Sequence, residues 1–96
     1  MDKKIIAVIF GGCSPEHGVS LESAAGVLSC LDRSRFEPVM LGITRSGEWY
    51  RYIGDITAIA DGTWTQGDCT PACICPDRGS HELLLFRDGS VGRMRI

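Results

Sequence analysis

Within ten residues, Gly11-Gly12-Cys13-Ser14-Pro15-Glu16-His17-Gly18-Val19-Ser20 bring together a thiol, two hydroxyls, a carboxylate, an imidazole and three glycines. Each kind of chemistry open to such a set demands its own spacing. A Walker-type phosphate cradle needs Gly-x4-Gly-Lys-Ser/Thr, and a dinucleotide loop needs Gly-x-Gly-x-x-Gly. Neither fits, because no Lys follows Gly18 and Gly11 is adjacent to Gly12. Cys13 beside a helix start is placed to become a thiolate with His17 as its base, since the helix dipole favours an anion there. Against this, a free cysteine usually serves as a small buried hydrophobe. The loop also lacks the Cys-x5-Arg pattern with which a thiol phosphatase holds a dianionic substrate. Glu16 has two readings. Ser14 as a cap, Pro15 in the first turn and a carboxylate beside them make an ordinary helix start, stabilising by about 0.3 to 1 kcal/mol. A carboxylate on a glycine-flanked loop at the ligand side of a sheet is equally suited to an ammonium group, as in an amino acid.

The elements that must position this loop follow from periodicity. Lys3 to Phe10 is an apolar, β-branched run without polar alternation, the pattern of a strand covered on both faces and expected at the centre of a parallel sheet. From Val19 to Leu31, Leu21, Ala24, Ala25, Leu28 and Leu31 recur at helical spacing. After polar Asp32 to Arg35 a second apolar run, Phe36 to Ile43, carries Val39, Leu41 and Ile43. Strand, helix and strand form a right-handed crossover, whose ligand side lies beyond the carboxyl ends of the strands at the helix start. Residues 11 to 20 occupy that place. Ser46-Gly47 signals a turn, Glu48 to Tyr52 a short aromatic strand or loop over the sheet edge, and Asp55 to Ala60 a short helix. Trp49, Tyr50 and Tyr52 suit packing or an interdomain surface better than base stacking. Gly62 to Gly79 reads as a long surface connection. His81 to Phe86, the Asp88-Gly89 turn and Val91 to Ile96 form a hairpin, because Asp-Gly supplies positive φ angles. The fold class is α/β: a Rossmann-like open parallel sheet with flanking helices plus a C-terminal β-hairpin, as one domain over residues 1–96.

Ninety-six residues bound a single modest core. Apolar residues at 44% and charged residues at 23% lie near globular averages. A net charge of -2 leaves no electrostatic footprint for nucleic acid or an anionic membrane surface. The longest apolar run, Ile5 to Phe10, is too short to span a bilayer or to form a secretory core, so the expected location is the cytoplasm. Five cysteines, Cys13, Cys30, Cys69, Cys73 and Cys75, are an odd number without disulfide-framework spacing. Cys69, Cys73 and Cys75 provide three soft ligands where a closed zinc site needs four, so no metal is expected. A terminal hairpin strand leaves a small sheet poorly covered, and the chain reads as part of something longer.

Gly11, Gly12, Ser14, Glu16, Val19, Ser20, Leu21, Ser23 and Ala24 match, at fixed spacing, a Gly-Gly-x-Ser-x-Glu-x-x-Val-Ser-Leu-x-Ser-Ala opening. In this the chain resembles the D-alanine-D-alanine ligases and their vancomycin-resistance relatives that make D-alanyl-D-serine or D-alanyl-D-lactate. Gly42 to Tyr50 is also similar to these ligases, particularly the D-alanine-D-serine type. The resemblance covers residues 3 to 52, while the Cys-containing segment and the hairpin carry no recognised motif. It implies the pre-ATP-grasp, substrate-binding domain of a peptidoglycan-precursor ligase. ATP would phosphorylate the first D-alanine, and the second substrate would attack the acyl phosphate. By its place in the motif, Glu16 would be the catalytic-site carboxylate that holds the ammonium of the first D-alanine. Val19 and Ser20 would belong to the same subsite, and Gly11 and Gly12 would let the backbone approach closely. Cys13 falls at a variable position. His17 is expected as a solvated loop residue or a contact behind Glu16, and neither it nor His81 matches the substrate-contacting His of the family's later Leu-His-Gly motif. ATP and Mg2+ would be bound by segments beyond Ile96, so residues 1–96 alone are expected to hold no cofactor and to be inactive. A homodimer through this domain is also implied. The competing reading is a non-catalytic Rossmann-like module that binds a small molecule or a protein; it predicts a chain ending at Ile96, whereas the ligase predicts an ATP-grasp region downstream.

Overall fold

A computed structural model describes residues 3–77 and 79–96 of the chain. Met1, Asp2 and Arg78, the last within the expected Gly62 to Gly79 connection, lie outside the described residues. Strand β1 (Lys4–Gly11) is followed by helix α1 (His17–Cys30), β2 (Phe36–Ile43), β3 (Trp49–Ile53), helix α2 (Ile56–Asp61), a 3-10 turn (Trp64–Gln66), β4 (Asp68–Ile74), β5 (Glu82–Arg87) and β6 (Ser90–Arg95). The strands form one sheet in the order β1-β2-β3-β4-β5-β6. The α/β class, the flanking helices and the terminal hairpin stand as expected. The sheet itself is mixed: β1 and β2 run parallel, and every later neighbour is antiparallel. The β1 to β2 connection carries the crossover helix α1; the β2–β3, β4–β5 and β5–β6 connections are short and reverse direction, and the longer β3–β4 connection, which holds α2 and the 3-10 turn, also returns antiparallel.

Helix α1 buries His17, Leu21, Ala24, Ala25 and Leu28, a stripe at spacings of four, three, one and three residues that keeps one face toward the sheet. Against it pack Phe10, Tyr52, Ile59 and Trp64. Trp64 meets the Phe10 ring edge-on at 5.1 Å between centroids and the Tyr52 ring at 6.2 Å, arrangements that aromatic quadrupoles favour. The Tyr52 hydroxyl donates to the Asp55 carbonyl at 2.9 Å, so the aromatic wall leaves no orphaned phenol. A second cluster on the opposite face joins Val39 and Leu41 of β2 to Ala72 of β4 and Leu83 of β5, with Met94 and Ile96 against it. Strands three places apart share a cluster only if the sheet curls. The hairpin therefore folds back over the face that α1 leaves open, as a strongly twisted antiparallel ribbon permits.

Three expectations are corrected. The first strand is not central: among the described residues β1 pairs only with β2, and Ile5 and Ile9 remain 37% and 46% exposed. An apolar run records that a strand is sheltered on its faces, not which neighbours flank it. The segment from Gly62 onward is no surface connection, since Trp64 is 1% exposed and Asp68–Ile74 is a full strand with Thr70 and Ala72 turned inward. The aromatic segment Trp49–Ile53 is an integral strand between β2 and β4 rather than a flap over an edge. The Asp88-Gly89 turn forms as expected, with φ of 46° and 79°. No helix among the described residues is long and apolar enough to cross a membrane.

Gly42 lies in β2 directly beneath Trp64 and Phe10, and a Cβ placed there would overlap the six-membered ring of Trp64. Gly42→Ala is expected to lower the unfolding free energy by about 1 to 3 kcal/mol, the usual cost of overpacking a filled core, read as a lower urea midpoint. An unchanged midpoint would show that the indole has room to retreat.

Candidate functional site

The loop between β1 and α1 begins with a steric constraint. Gly11 pairs with Ile43 in the parallel register and adopts φ +89°, and a Cβ on it would collide with the Ile43 carbonyl oxygen. Gly12 follows at φ +107°. Two consecutive left-handed residues turn the chain sharply off the sheet end, a path open chiefly to glycine. The Gly12 N–H donates to the Ile43 carbonyl at 2.9 Å, and the Gly11 N–H donates to the Ser20 hydroxyl at 3.0 Å. The end of β1 is thereby tied to both β2 and the first turn of α1.

Beyond that clamp Cys13, Ser14, Pro15 and Glu16 are all exposed. The Ser14 hydroxyl accepts the Glu16 N–H at 2.8 Å, and the Ser14 carbonyl accepts the His17 N–H at 3.1 Å. Glu16 is the residue from which α1 starts, its carbonyl accepting the Ser20 N–H at 2.9 Å. Its carboxylate does not cap the helix. Among the described residues no hydrogen bond or ion pair engages that carboxylate. The expected helix start is thus displaced: Ser14 caps the single turn from Ser14 to His17 that precedes α1, Pro15 lies outside the helix, α1 itself has no side-chain cap, and the Glu16 side chain is left unused.

Each expected site residue can now be placed. Gly11 and Gly12 form the turn, and nothing lies within 4 Å of a Cβ built on Gly12, so its outer side is open. Val19 is exposed and lines an open groove of about 560 Å³ together with His17, Glu22, Arg45 and Asp61. Glu16 neighbours this groove in sequence without lining it. The Ser20 hydroxyl is engaged with the Gly11 backbone, a role in shaping the loop. His17 is not solvated: it is 6% exposed, with Nδ1 at 2.6 Å from the Gly12 carbonyl oxygen. Reading the helical repeat one turn earlier, from Leu21 back to position 17, would have revealed this burial. Arg45, which brings a cation to the groove from the β2–β3 turn, carried no signal in the sequence.

The cysteines divide by environment. Cys13 and Cys30 are exposed and Cys69, Cys73 and Cys75 half-buried, all as free thiols, so Cys13 is not the small buried hydrophobe expected of it. Burial pushes the Cys69 thiol up, and the neighbouring Asp68 carboxylate acts in the same direction. Its Sγ donates to the Trp64 carbonyl at 3.3 Å. No three His, Cys, Asp or Glu side chains among the described residues converge as metal ligands do.

A family model described as the D-ala D-ala ligase N-terminus matches residues 5–82. A D-alanine–D-alanine ligase of Thermoanaerobacter sp. (strain X514) is 44% identical over 92 residues, covering 96% of this chain and 25% of that protein. The vancomycin B-type resistance protein VanB of Enterococcus faecalis is 36% identical over 96 residues, covering 100% of this chain and 26% of that one. Among solved structures, the VanG D-Ala:D-Ser ligase from Enterococcus faecalis superposes with a TM-score of 0.83 at 40% identity, over 88% of this chain and 25% of that one. The chain spans about a quarter of the length of the curated relatives it matches.

Two outcomes are expected from this environment. Ser20→Ala removes the acceptor of the Gly11 N–H and should cost about 0.5 to 1.5 kcal/mol of stability, checked by chemical denaturation. With iodoacetamide at pH 8, Cys13 and Cys30 should react about tenfold faster than Cys69, whose raised pKa leaves less thiolate at any given pH, checked by peptide mass mapping against time.

Proposed function

Since this chain belongs to the D-alanine–D-alanine ligase family, matching its N-terminal portion, we propose that it is the substrate-binding N-terminal part of an ATP-dependent ligase that joins D-alanine to a second D-amino or D-hydroxy acid. The observation that carries the reading is Glu16: a carboxylate on a backbone-clamped loop beyond the carboxyl ends of β1 and β2, with no protein partner among the described residues. Its proposed role is to pair with the ammonium of the first D-alanine and so to orient that substrate's carboxylate toward phosphorylation. Alignment of reacting groups is a large effect when both partners are held. Val19, exposed one helical turn along, is the proposed apolar contact for the D-alanine methyl. The outer side of Gly12 offers room for the substrate to approach the backbone.

A carboxylate in open solvent binds a cation by only about 0 to 1 kcal/mol. The reading therefore requires that the further length found in the relatives close over Glu16 and exclude water. ATP, Mg2+ and the acyl-phosphate chemistry are proposed to reside in that further length, with residues 1–96 inactive alone and the whole acting in the cytoplasm on a peptidoglycan precursor. The second substrate is proposed to be D-alanine, D-serine or D-lactate; the 40% identity to the VanG D-Ala:D-Ser ligase, together with the resemblance of Gly42 to Tyr50 to the D-alanine-D-serine type, favours testing D-serine first.

In the intact ligase, Glu16→Gln should lower kcat/KM for the first D-alanine at least tenfold, equivalent to about 1.4 kcal/mol of lost transition-state stabilisation. Steady-state kinetics with the second substrate saturating would read this, and unchanged values would remove Glu16 from the site.

A further inference from the structure

Of the two histidines, His81 is exposed and His17 is buried at the first position of α1. An imidazole removed from water needs a partner for its polar atoms. That partner is the Gly12 carbonyl, 2.6 Å from Nδ1. A carbonyl oxygen only accepts, so Nδ1 carries the hydrogen and donates it. The bond spans the base of the loop from Gly12 to His17, and everything between its ends is exposed. A Cβ on Gly11 would come within 3.2 Å of His17 Cε1, so the ring also lies against the turn itself. Gly12 is held from its other side by its own N–H on the Ile43 carbonyl. The imidazole is thus a strut between the sheet end and the helix start, and Glu16 is the residue immediately before it.

We propose that His17 is a positioning residue, whose Nδ1–H bond to the Gly12 carbonyl sets where the Glu16 carboxylate stands for the ammonium group of a D-amino acid. This rests on the reading of Glu16 given above. Ser14 takes the Glu16 N–H from within the loop, and the Glu16 carbonyl takes the Ser20 N–H; the His17 imidazole adds the tie that runs from the helix start back to the Gly12 turn.

The test uses three substitutions in the intact ligase. His17→Asn places an amide N–H close to where Nδ1–H stood, His17→Gln places it near the Nε2 position, and His17→Phe keeps the ring without a donor. Loss of positioning predicts at least a fivefold rise in KM for the first D-alanine in the Gln and Phe variants, KM for ATP within twofold of the parent, and His17→Asn within twofold of the parent throughout. A purely structural role would lower melting temperature and active fraction in all three and leave KM alone. That result, or an Asn variant as impaired as Phe, overturns the proposal. Glu16→Gln run in parallel separates the two claims. If it raises KM and folded His17→Phe does not, only the role of His17 fails; if neither does, the reading of Glu16 fails with it. Should the variants not fold, nitrogen NMR of labelled histidine in the parent ligase decides. A hydrogen on Nδ1 with coupling to the Gly12 carbonyl is expected, and a neutral ring protonated only at Nε2 would refute the strut.

Discussion

The close passage of the Gly11 backbone against the Ile43 carbonyl is the constraint on which the candidate site depends. The parallel register places these two residues opposite each other at the last rung of the β1–β2 ladder, and a side chain on Gly11 would force them apart. With hydrogen in its place, the chain can leave the sheet at positive φ, give the Gly12 N–H to Ile43 and enter α1 at His17, with only residues 13–16 between. The helix then returns Ser20 and His17 to the same turn, one taking the Gly11 N–H and the other holding the Gly12 carbonyl. Backbone groups that would otherwise be orphaned at a strand end are satisfied by two side chains of the following helix. The loop is exposed yet fixed at both ends, a state in which a carboxylate can wait for a charged ligand without being spent on the protein.

The second half of the chain supports that arrangement from below. Trp64, carried on the 3-10 turn after α2, fills the space between the β1 end, β3 and α1 through Phe10, Tyr52 and Leu21. The curled β4–β5–β6 ribbon covers the other face through Leu83 and Ala72. The two faces of β2 are therefore sealed by different means, a helix on one side and the sheet's own continuation on the other.

How much of this was legible depended on whether the signal was local. The glycine pair ending β1, the face of α1 and the Asp88-Gly89 turn are each specified by neighbours in sequence, and each formed. Gly47, at φ +91°, likewise closes the turn announced by Ser46-Gly47. β4 was hidden because its residues, Cys69, Thr70, Pro71, Ala72 and Cys73, are small or turn-prone, and only the inward alternation of Thr70 and Ala72 marks a strand. Trp64 was hidden among Gly and Thr, where its burial depends on partners contributed by β1, β2 and β3. The edge position of β1 was beyond reach, because neighbour order is a global property that apolar content does not encode. In the site, the place of Glu16 was legible from the strand-loop-helix pattern. The bond from His17 was not: the helical repeat reaches position 17 and so marks its burial, but the partner, the Gly12 carbonyl, is placed only by the left-handed turn at Gly11 and Gly12.

The contact between Gly42 and Trp64 has a consequence for how this portion of the chain can diversify. One position supplies the absence of volume that the other consumes, so neither is free to drift alone. A side chain gained at position 42 is best accommodated when the indole is exchanged for something narrower, and loss of the indole would leave a void beside Phe10 that a residue larger than glycine could fill. Paired exchange at these two sites, with every other core residue retained, is a change that the packing would absorb while keeping the end of the first strand in place.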